Sequence, residues 1–399
     1  GCWRRCLGHM FAALFDASGR RMPIDRLAIV ASALPNPTQV FAAGANVAFI
    51  KSPTGEAADI DSCLKPPSGG PTGLIGRIRL DRRSTLRERL GAASGASDAD
   101  LLIGAYERWG DDCLQHVTGD YCFVLVDSPR RRLIAARDQL GVRALFYARR
   151  GDLWLISDSL DWLAAQWPRR PDLDEYWIGD FLTLGHSREF RRTVYRDIHR
   201  VPPGHCLQLD ERGNLLRRYW QLEITEPLHL KHAGEYAERF RELMAEAISD
   251  RLPKGTVGIA MSGGIDSNSL AALSIELKKD ASQVVAECIH YKRLMNVGED
   301  RYARLAARDI GIDLVVRPFD DLVYDRSWRS RGIAAAEPTQ SLLDAHHLRA
   351  FGQERSRRAV IWFEGEGPDN ALDLERDAYL KWLWRRREWV RFGAACVQY

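Results

Sequence analysis

The sequence lacks several features that would assign a protein of this size to a common class. Its 399 residues contain no apolar run as long as a membrane span, and its N-terminus has no secretory pattern. Its eight cysteines are scattered without a Cys-x-x-Cys pair, so they indicate neither zinc nor a disulfide framework. A net charge of +3 is close to neutral, so no nucleic-acid or membrane partner is expected. These absences favour a cytoplasmic protein.

The length leaves room for two domains, and a hydrophobic content of 45% is enough for a core in each. The pattern loosens between Leu222 and His232, which predicts domains at residues 10–222 and 230–399. The first methionine is Met10, so we interpret residues 1–9 as either a misread upstream start or a processed remnant.

The two halves show different patterns of secondary structure. Strands are predicted in the first half at 11–16, 46–50, 74–80, 119–127, 132–138, 145–148 and 153–157, with helices at 84–90 and 100–109, the second capped at Ser97. Many strands with few helices between them predict an α+β domain on an antiparallel sheet. In the second half, strands at 256–261, 284–291, 314–316 and 360–363 alternate with helices, which predicts a parallel α/β sheet.

The central motif of the second half is Ser262-Gly263-Gly264-Ile265-Asp266-Ser267, between a buried strand and a helix. Unpaired N–H groups at the helix start and two glycines predict an anion site with close backbone approach. Asp266 beside a phosphate requires a bridging cation, which predicts Mg²⁺. The loop lacks the Lys of the Walker pattern, so a phosphate loop of the kinase or GTPase type is not expected. For two glycines alone, a tight turn that binds nothing is the alternative.

A second acidic loop, residues 364–370, leaves the carboxyl end of the last predicted strand. Ligands on parallel sheets bind at these ends, so we predict that this loop and Asp266 face one metal-bound nucleotide. The residues just after Ile289 would edge the adenine pocket. A simple turn is the alternative for the acidic loop alone.

Several separated motifs resemble the asparagine synthetase family. The matching segments are 119–123, 136–143, 145–147, 201–205 and 218–220 in the first half, and the 262–267 motif, which looks like the pyrophosphate loop of enzymes that form adenylates. The resemblance implies a glutaminase-like antiparallel-sheet domain, then a parallel-sheet ATP-pyrophosphatase domain of the adenine nucleotide α-hydrolase type, incomplete at its C-terminus.

The resemblance also implies the cofactors ATP and Mg²⁺ and a role for each matching residue. Asp266 and Asp369 match the metal ligands, and Glu366 matches the residue that meets the acceptor amine or adenylate. The implied nucleotide-binding residues are Ser262, Gly263, Gly264, Asp266, Ser267, Ile289 and Gly365. Asn370 replaces the usual Glu, so one outer contact of the family pattern is absent.

Two departures from the family pattern bear on activity. Active members begin the first strand with a cysteine nucleophile, but His9 or Met10 occupies that position here, and the glutamine-holding Asn-Gly-Glu is absent. We therefore expect no glutamine hydrolysis; exposure of Cys2 or Cys6 by proteolysis is the alternative. The family's C-terminal helical remainder, with its catalytic lysine, is also missing, and Lys381 is a poor substitute. A fragment and a truncated, inactive copy both fit.

Relatives with an inactive glutaminase half include β-lactam synthetases and lasso-peptide cyclases. The strings at 290–295 and 364–372, the dipeptide Glu337-Pro338 and a basic-aromatic helix at 379–391 look more like the cyclases. That resemblance implies ATP-dependent macrolactam closure of a precursor peptide, with a leader peptidase as a possible further partner. The alternatives are glutamine-dependent asparagine synthesis from aspartate and a non-catalytic nucleotide or peptide binder.

Overall fold

The computed structural model describes residues 10–20, 39–42, 45–51, 61–64, 73–210, 213–223, 228–293, 298–320, 337–338, 345–367 and 376–398. The chain divides into two compact units, Gly1–Tyr236 with Arg326–His346, and Ala237–Asp325 with His347–Tyr399. The domain boundaries drawn from the sequence, 10–222 and 230–399, stay a prediction. No helix among the described residues is long and apolar enough to cross a bilayer.

The first unit contains two six-stranded antiparallel sheets. Its strands are β1 (Phe11–Asp16), β2 (Gln39–Ala42), β3 (Val47–Lys51), β4 (Asp61–Leu64), β5 (Gly73–Leu80), β6 (Gly119–Asp127), β7 (Arg132–Arg137), β8 (Phe146–Arg150), β9 (Leu153–Ser157), β10 (Ile198–Arg200), β11 (His205–Asp210) and β12 (Gly213–Arg218). The sheet orders are β10-β8-β9-β1-β3-β2 and β12-β11-β7-β6-β5-β4. The predicted antiparallel α+β architecture is confirmed.

Four layers result because these strands bury both faces. In β1, Phe11 and Phe15 face the core between the sheets, whereas Ala12 and Leu14 belong to an outer core. The outer core of the first sheet includes side chains of α3 (Leu160–Ala164) and α4 (Glu175–Leu184). The outer core of the second sheet includes those of α1 (Arg83–Leu90) and α2 (Asp98–Trp109).

The helix boundaries follow local capping chemistry. Ser97 and Asp100 form a capping box at the start of α2, which confirms the predicted cap. Asp174 caps α4 through the N–H groups of Tyr176 and Trp177. The sequence reading missed α3 and α4, because each presents few turns of helical periodicity.

The second unit is built on a four-stranded parallel sheet in the order β15-β14-β13-β16. Its elements are α5 (Ala233–Ser249), β13 (Val257–Ala260), α6 (Ile265–Lys278), β14 (Val284–His290), α7 (Glu299–Ile310), β15 (Asp313–Pro318), α8 (Ala345–Arg358), β16 (Ile361–Glu364), α9 (Arg376–Arg385) and α10 (Trp389–Gln398). The predicted parallel pairing is confirmed.

The two faces of this sheet differ in chemistry. Val257, Ile259 and Ala286 point to one face and form an apolar core with small residues of α6 and α7, such as Ala271 and Ala303. On the other face, Trp362 lies so close over Gly258 that a Cβ there would be 2.3 Å from the indole ring. Helices α6 and α7 therefore cover the apolar side chains of the first face, whereas the second face carries polar and aromatic side chains.

The single helix predicted over residues 379–391 is wrong. The chain forms α9 and α10 with a break between them, where Arg387 is left-handed with φ 58°. The N–H of Glu388 donates to the carbonyl of Leu383, as in a Schellman ending. This ending usually uses glycine, so the arginine gave no signal for the break.

Candidate functional site

The candidate site lies where the order of the parallel strands reverses. After β13, the chain adds β14 and β15 on one side of β13 and then β16 on the other. In open parallel sheets, the crevice beyond the carboxyl ends of the strands at such a reversal is the usual ligand site. Ala260 and Glu364 are the last paired residues of β13 and β16, so the loops that follow them meet at this crevice.

The loop after β13 has the backbone geometry of an anion site. Gly263 has φ +85°, and a Cβ there would lie 2.7 Å from the backbone nitrogen of Ala303, so only glycine fits. Gly264 is the N-cap residue of α6 and, as a glycine, has no side chain with which to cap the helix start. The first N–H groups of α6 and the positive end of its dipole are therefore available to a phosphate.

The hydroxyls of Ser262 and Ser267 both make hydrogen bonds within the loop. The Ser267 hydroxyl is buried, accepts the N–H of Ser262 at 3.2 Å and donates to the carbonyl of Gly264 at 3.3 Å. The Ser262 hydroxyl accepts the N–H of Gly264 at 3.3 Å, and Ser262 is exposed. Of the two serine hydroxyls, that of Ser262 is thus the better placed to donate to a phosphate.

The start of the acidic loop lies directly against the first turn of α6. A Cβ on Gly365 would be 2.9 Å from the backbone nitrogen of Ser267 and 3.1 Å from the Cβ of Asp266. The structure therefore brings Gly365 together with Asp266 and Ser267. Glu366 is exposed one residue further on.

The predicted metal pair is only partly within the described chain. Asp266 occupies the first turn of α6, whereas Asp369 and Asn370 lie outside the described residues. No group of three or more His, Cys, Asp or Glu side chains arranged for a metal ion occurs among the residues that the structure describes. The assignment of both aspartates to one ion stays a prediction.

Ile289 lies near the end of β14, next to β13, so it belongs to the same sheet edge. The turn that follows is organised by Asp320, whose carboxylate accepts the N–H groups of Lys292 at 2.8 Å and Arg293 at 2.7 Å. The sequence reading missed Asp320. The feature of the sequence that could have indicated Asp320 is its position, two residues after the end of β15, at the sheet edge where the other loops converge.

In the first unit, Met10, one of the two residues that match the position of the family's nucleophile, is buried just ahead of β1. Met10 is 1% exposed, and the N–H of Phe11 donates to Asp158 Oδ1 at 2.9 Å. Arg77 Nε, on β5, donates to Asp158 Oδ2 at 2.7 Å. Burial raises the pKa of Asp158, and Arg77 opposes that rise. His9, Cys2 and Cys6 lie outside the described residues.

The cysteines in the interior are poor nucleophiles. Burial raises the pKa of Cys113 to about 12 and that of Cys288 to about 11, and it also raises the pKa values of Cys122 and Cys206. A thiol needs to ionise to attack a carbonyl, so these side chains stay inert near neutral pH.

The motif at 136–143 proves to stabilise the fold. Asp138 is 1% exposed and accepts the N–H groups of Leu140, Val142 and Arg143 at 2.9–3.1 Å. Arg137 donates to three backbone carbonyls, including that of Val201 at 3.0 Å, and burial lowers its pKa to about 10. The motif therefore holds a turn against the 201–205 segment.

Comparison with known proteins assigns a domain type to most of the chain. A glutamine amidotransferase domain model matches residues 80–220, and an asparagine synthase model matches residues 239–395. The chain is 29% identical over 195 residues to "Asparagine synthetase [glutamine-hydrolyzing] 3" of Bacillus subtilis, which covers 49% of this chain and 31% of that protein. It is 29% identical over 296 residues to "Amidase chyE" of Penicillium rubens, which covers 69% of this chain and 42% of that protein. The chain thus spans less than half the length of these relatives.

Proposed function

Because the chain belongs to the asparagine synthetase family, we propose that its second unit binds ATP and forms an amide bond through an acyl-adenylate. The observation that carries this proposal is the contact of Gly365 with the first turn of α6, which places the start of the acidic loop beside the glycine loop. Both loops leave the carboxyl edge of one sheet, where a nucleotide would be bound by backbone N–H groups.

The residues present fit a magnesium nucleotide. The uncapped start of α6 offers N–H donors, and Asp266 supplies a hard oxygen ligand. Gly263 lets the loop pack against Ala303 of α7, and Gly365 lets the acidic loop pack against the first turn of α6. Asp266 and Asp369 would hold Mg²⁺, which when bound neutralises charge on the departing pyrophosphate. Glu366, which is exposed beside Gly365, would orient the amine that attacks the adenylate.

For the substrate, we propose a precursor peptide whose N-terminal amine closes a macrolactam on an Asp or Glu side chain. The support is the resemblance of the 290–295 and 364–372 strings to lasso-peptide cyclases. In addition, the described part of the first unit has buried Met10, and no cysteine, ahead of β1. A leader peptidase would then supply the free amine. Holding both ends of one peptide together lowers the entropic part of the barrier.

Pyrophosphate release separates the candidate reactions. The assay offers ATP and Mg²⁺ with aspartate plus ammonia, with aspartate plus glutamine, or with synthetic peptides that carry a free N-terminus and an internal Asp or Glu. We expect release with peptide only. Release with aspartate would favour asparagine synthesis, and no release with either would favour a nucleotide or peptide binder.

We also propose that the first unit does not hydrolyse glutamine. The support is that Met10, which matches the nucleophile position by resemblance, carries no thiol and is buried, and that the N–H of the next residue, Phe11, donates to Asp158. Glutamate release from glutamine by the purified chain should stay at the rate of the buffer control. Sustained turnover would contradict this proposal and point to Cys2 or Cys6.

A further inference from the structure

The polar face of the second unit's sheet carries a buried carboxylate with three guanidinium partners. Glu287 on β14 is 1% exposed. Arg317 Nη2 lies 3.1 Å from its carboxylate, Arg355 Nε 3.0 Å and Arg358 Nη1 3.2 Å. A buried carboxylate persists as an ion only with such partners, so this cluster fixes α8, which carries two of the arginines, to the sheet.

Arg355 is the member of this cluster that reaches the candidate site. Its Nη1 lies 2.7 Å from Oε1 of Glu364, the last residue of β16. Its guanidinium also lies over the rings of Phe351 and Trp362, at 4.2 and 4.8 Å from their centroids. One side chain thus joins the buried Glu287 to the residue that immediately precedes Gly365.

We propose that Arg355 is a positioning residue for the nucleotide site, acting through Glu364. The inference rests on the proposed ATP-binding function. Glu364 directly precedes Gly365, which contacts the first turn of α6, so the orientation of Glu364 sets how the acidic loop leaves the sheet. Arg355 also neutralises a carboxylate at the edge where phosphates would bind, and that carboxylate would otherwise repel them.

Arg358 is a matched control, because it contacts Glu287 but, within the described residues, makes no ion pair or hydrogen bond with Glu364. Removing either arginine takes one partner from Glu287 and one guanidinium from the ring of Trp362, so the two variants share this part of the structural cost. Arg355→Met also removes the contacts with Phe351 and Glu364. Recovery of binding by Glu364→Gln then identifies the part of the difference that passes through Glu364.

The experiment measures the Kd of MgATP by calorimetry for the full chain and its variants, with circular dichroism to check folding. We expect Arg355→Met to weaken binding about tenfold and Arg358→Met by no more than about twofold, because small shifts of positioning groups have large effects at reactive sites. Glu364→Gln added to Arg355→Met should recover most of the loss, since it removes the unpaired charge.

The outcomes distinguish this inference from the proposed function. If the wild-type chain fails to bind MgATP, the proposed function itself is wrong. If the wild type binds and the two methionine variants have equal Kd values, Arg355 only stabilises the fold and the inference is wrong. If Arg355→Met does not fold, Arg355→Lys replaces it. Lysine offers one point charge in place of a planar fork, so an intermediate Kd supports the inference and a wild-type Kd overturns it.

Discussion

Gly365→Ala tests the geometry on which the nucleotide site depends. The added methyl would lie 2.9 Å from the nitrogen of Ser267, about 0.5 Å closer than the 3.4 Å at which ordinary van der Waals contact begins. It would also lie 3.1 Å from the Cβ of Asp266. The Gly365 backbone is not left-handed, so this crowding, and not backbone strain, decides the effect.

The added methyl should weaken both folding and nucleotide binding. Overpacking of this kind costs about 1–3 kcal/mol of stability when neighbours move to relieve it. The methyl also crowds the N–H of Ser267, a donor in the first turn of α6, and one hydrogen bond to a charged phosphate contributes about 1.5–3 kcal/mol. We therefore expect the Kd of MgATP to rise about 10- to 100-fold.

Gly352→Ala is the control for this measurement. Gly352 lies in α8 with nothing within 4 Å of its would-be Cβ, so alanine should stabilise the helix by about 0.5–1 kcal/mol and leave the Kd unchanged. Thermal unfolding and calorimetry on both variants separate folding from binding. A Gly365→Ala protein that binds MgATP with the wild-type Kd would refute the proposed site.

Three further predictions address separate parts of the chain. Asp266→Asn should weaken the Mg²⁺ dependence of ATP binding, because one of the two proposed carboxylate ligands is lost. The melting temperature should stay within about 2 °C of wild type, since Asp266 is partly exposed. An unchanged Mg²⁺ titration would contradict the metal assignment. Asp138→Ala should lower the free energy of unfolding by at least about 2 kcal/mol, because three N–H groups lose their acceptor. Asp152→Asn, at an exposed position, should leave the free energy of unfolding unchanged. Equal urea midpoints for the two variants would contradict this prediction. The buried thiols should make the chain less stable in alkali. Thiols of the unfolded chain ionise above about pH 8.5, whereas the pKa values of Cys288 and Cys113 in the folded chain are about 11 and about 12. The free energy of unfolding therefore falls as the pH rises through this range. Urea unfolding at pH 8 and pH 10 measures that fall, and equal stability at both would contradict it.

The sequence predicted those parts of the fold that depend on local pattern. The strand that ends at Ala260, the two glycines after it and the helix that follows are read from a change of hydrophobic period and a turn signal. The bounds of β1 agree with the predicted strand because its apolar run is short and ends at a turn. The contact of the two loops followed from the rule for parallel sheet edges.

Other parts depend on contacts between residues far apart in the chain, which no local pattern reveals. Arg355 contacts Glu287 across 68 positions, and Asp320 accepts N–H groups 27 and 28 positions away. The apolar stripe of α5 predicts burial, yet Phe240 is 47% exposed and Leu243 44%. Periodicity identifies a face that could be covered, and only the three-dimensional arrangement decides whether it is.

The double burial of the strands in the first unit has a consequence for how its sequence can change. Each apolar residue of a strand such as β1 or β6 supports either the central core or an outer one, so few positions are free to vary. Met10, one of the two residues that match the position of the family's nucleophile, belongs to the same outer core as Ala12 and Leu14. Similarity along these strands therefore records the demands of packing, and a match there is no sign that the ancestral reaction survives.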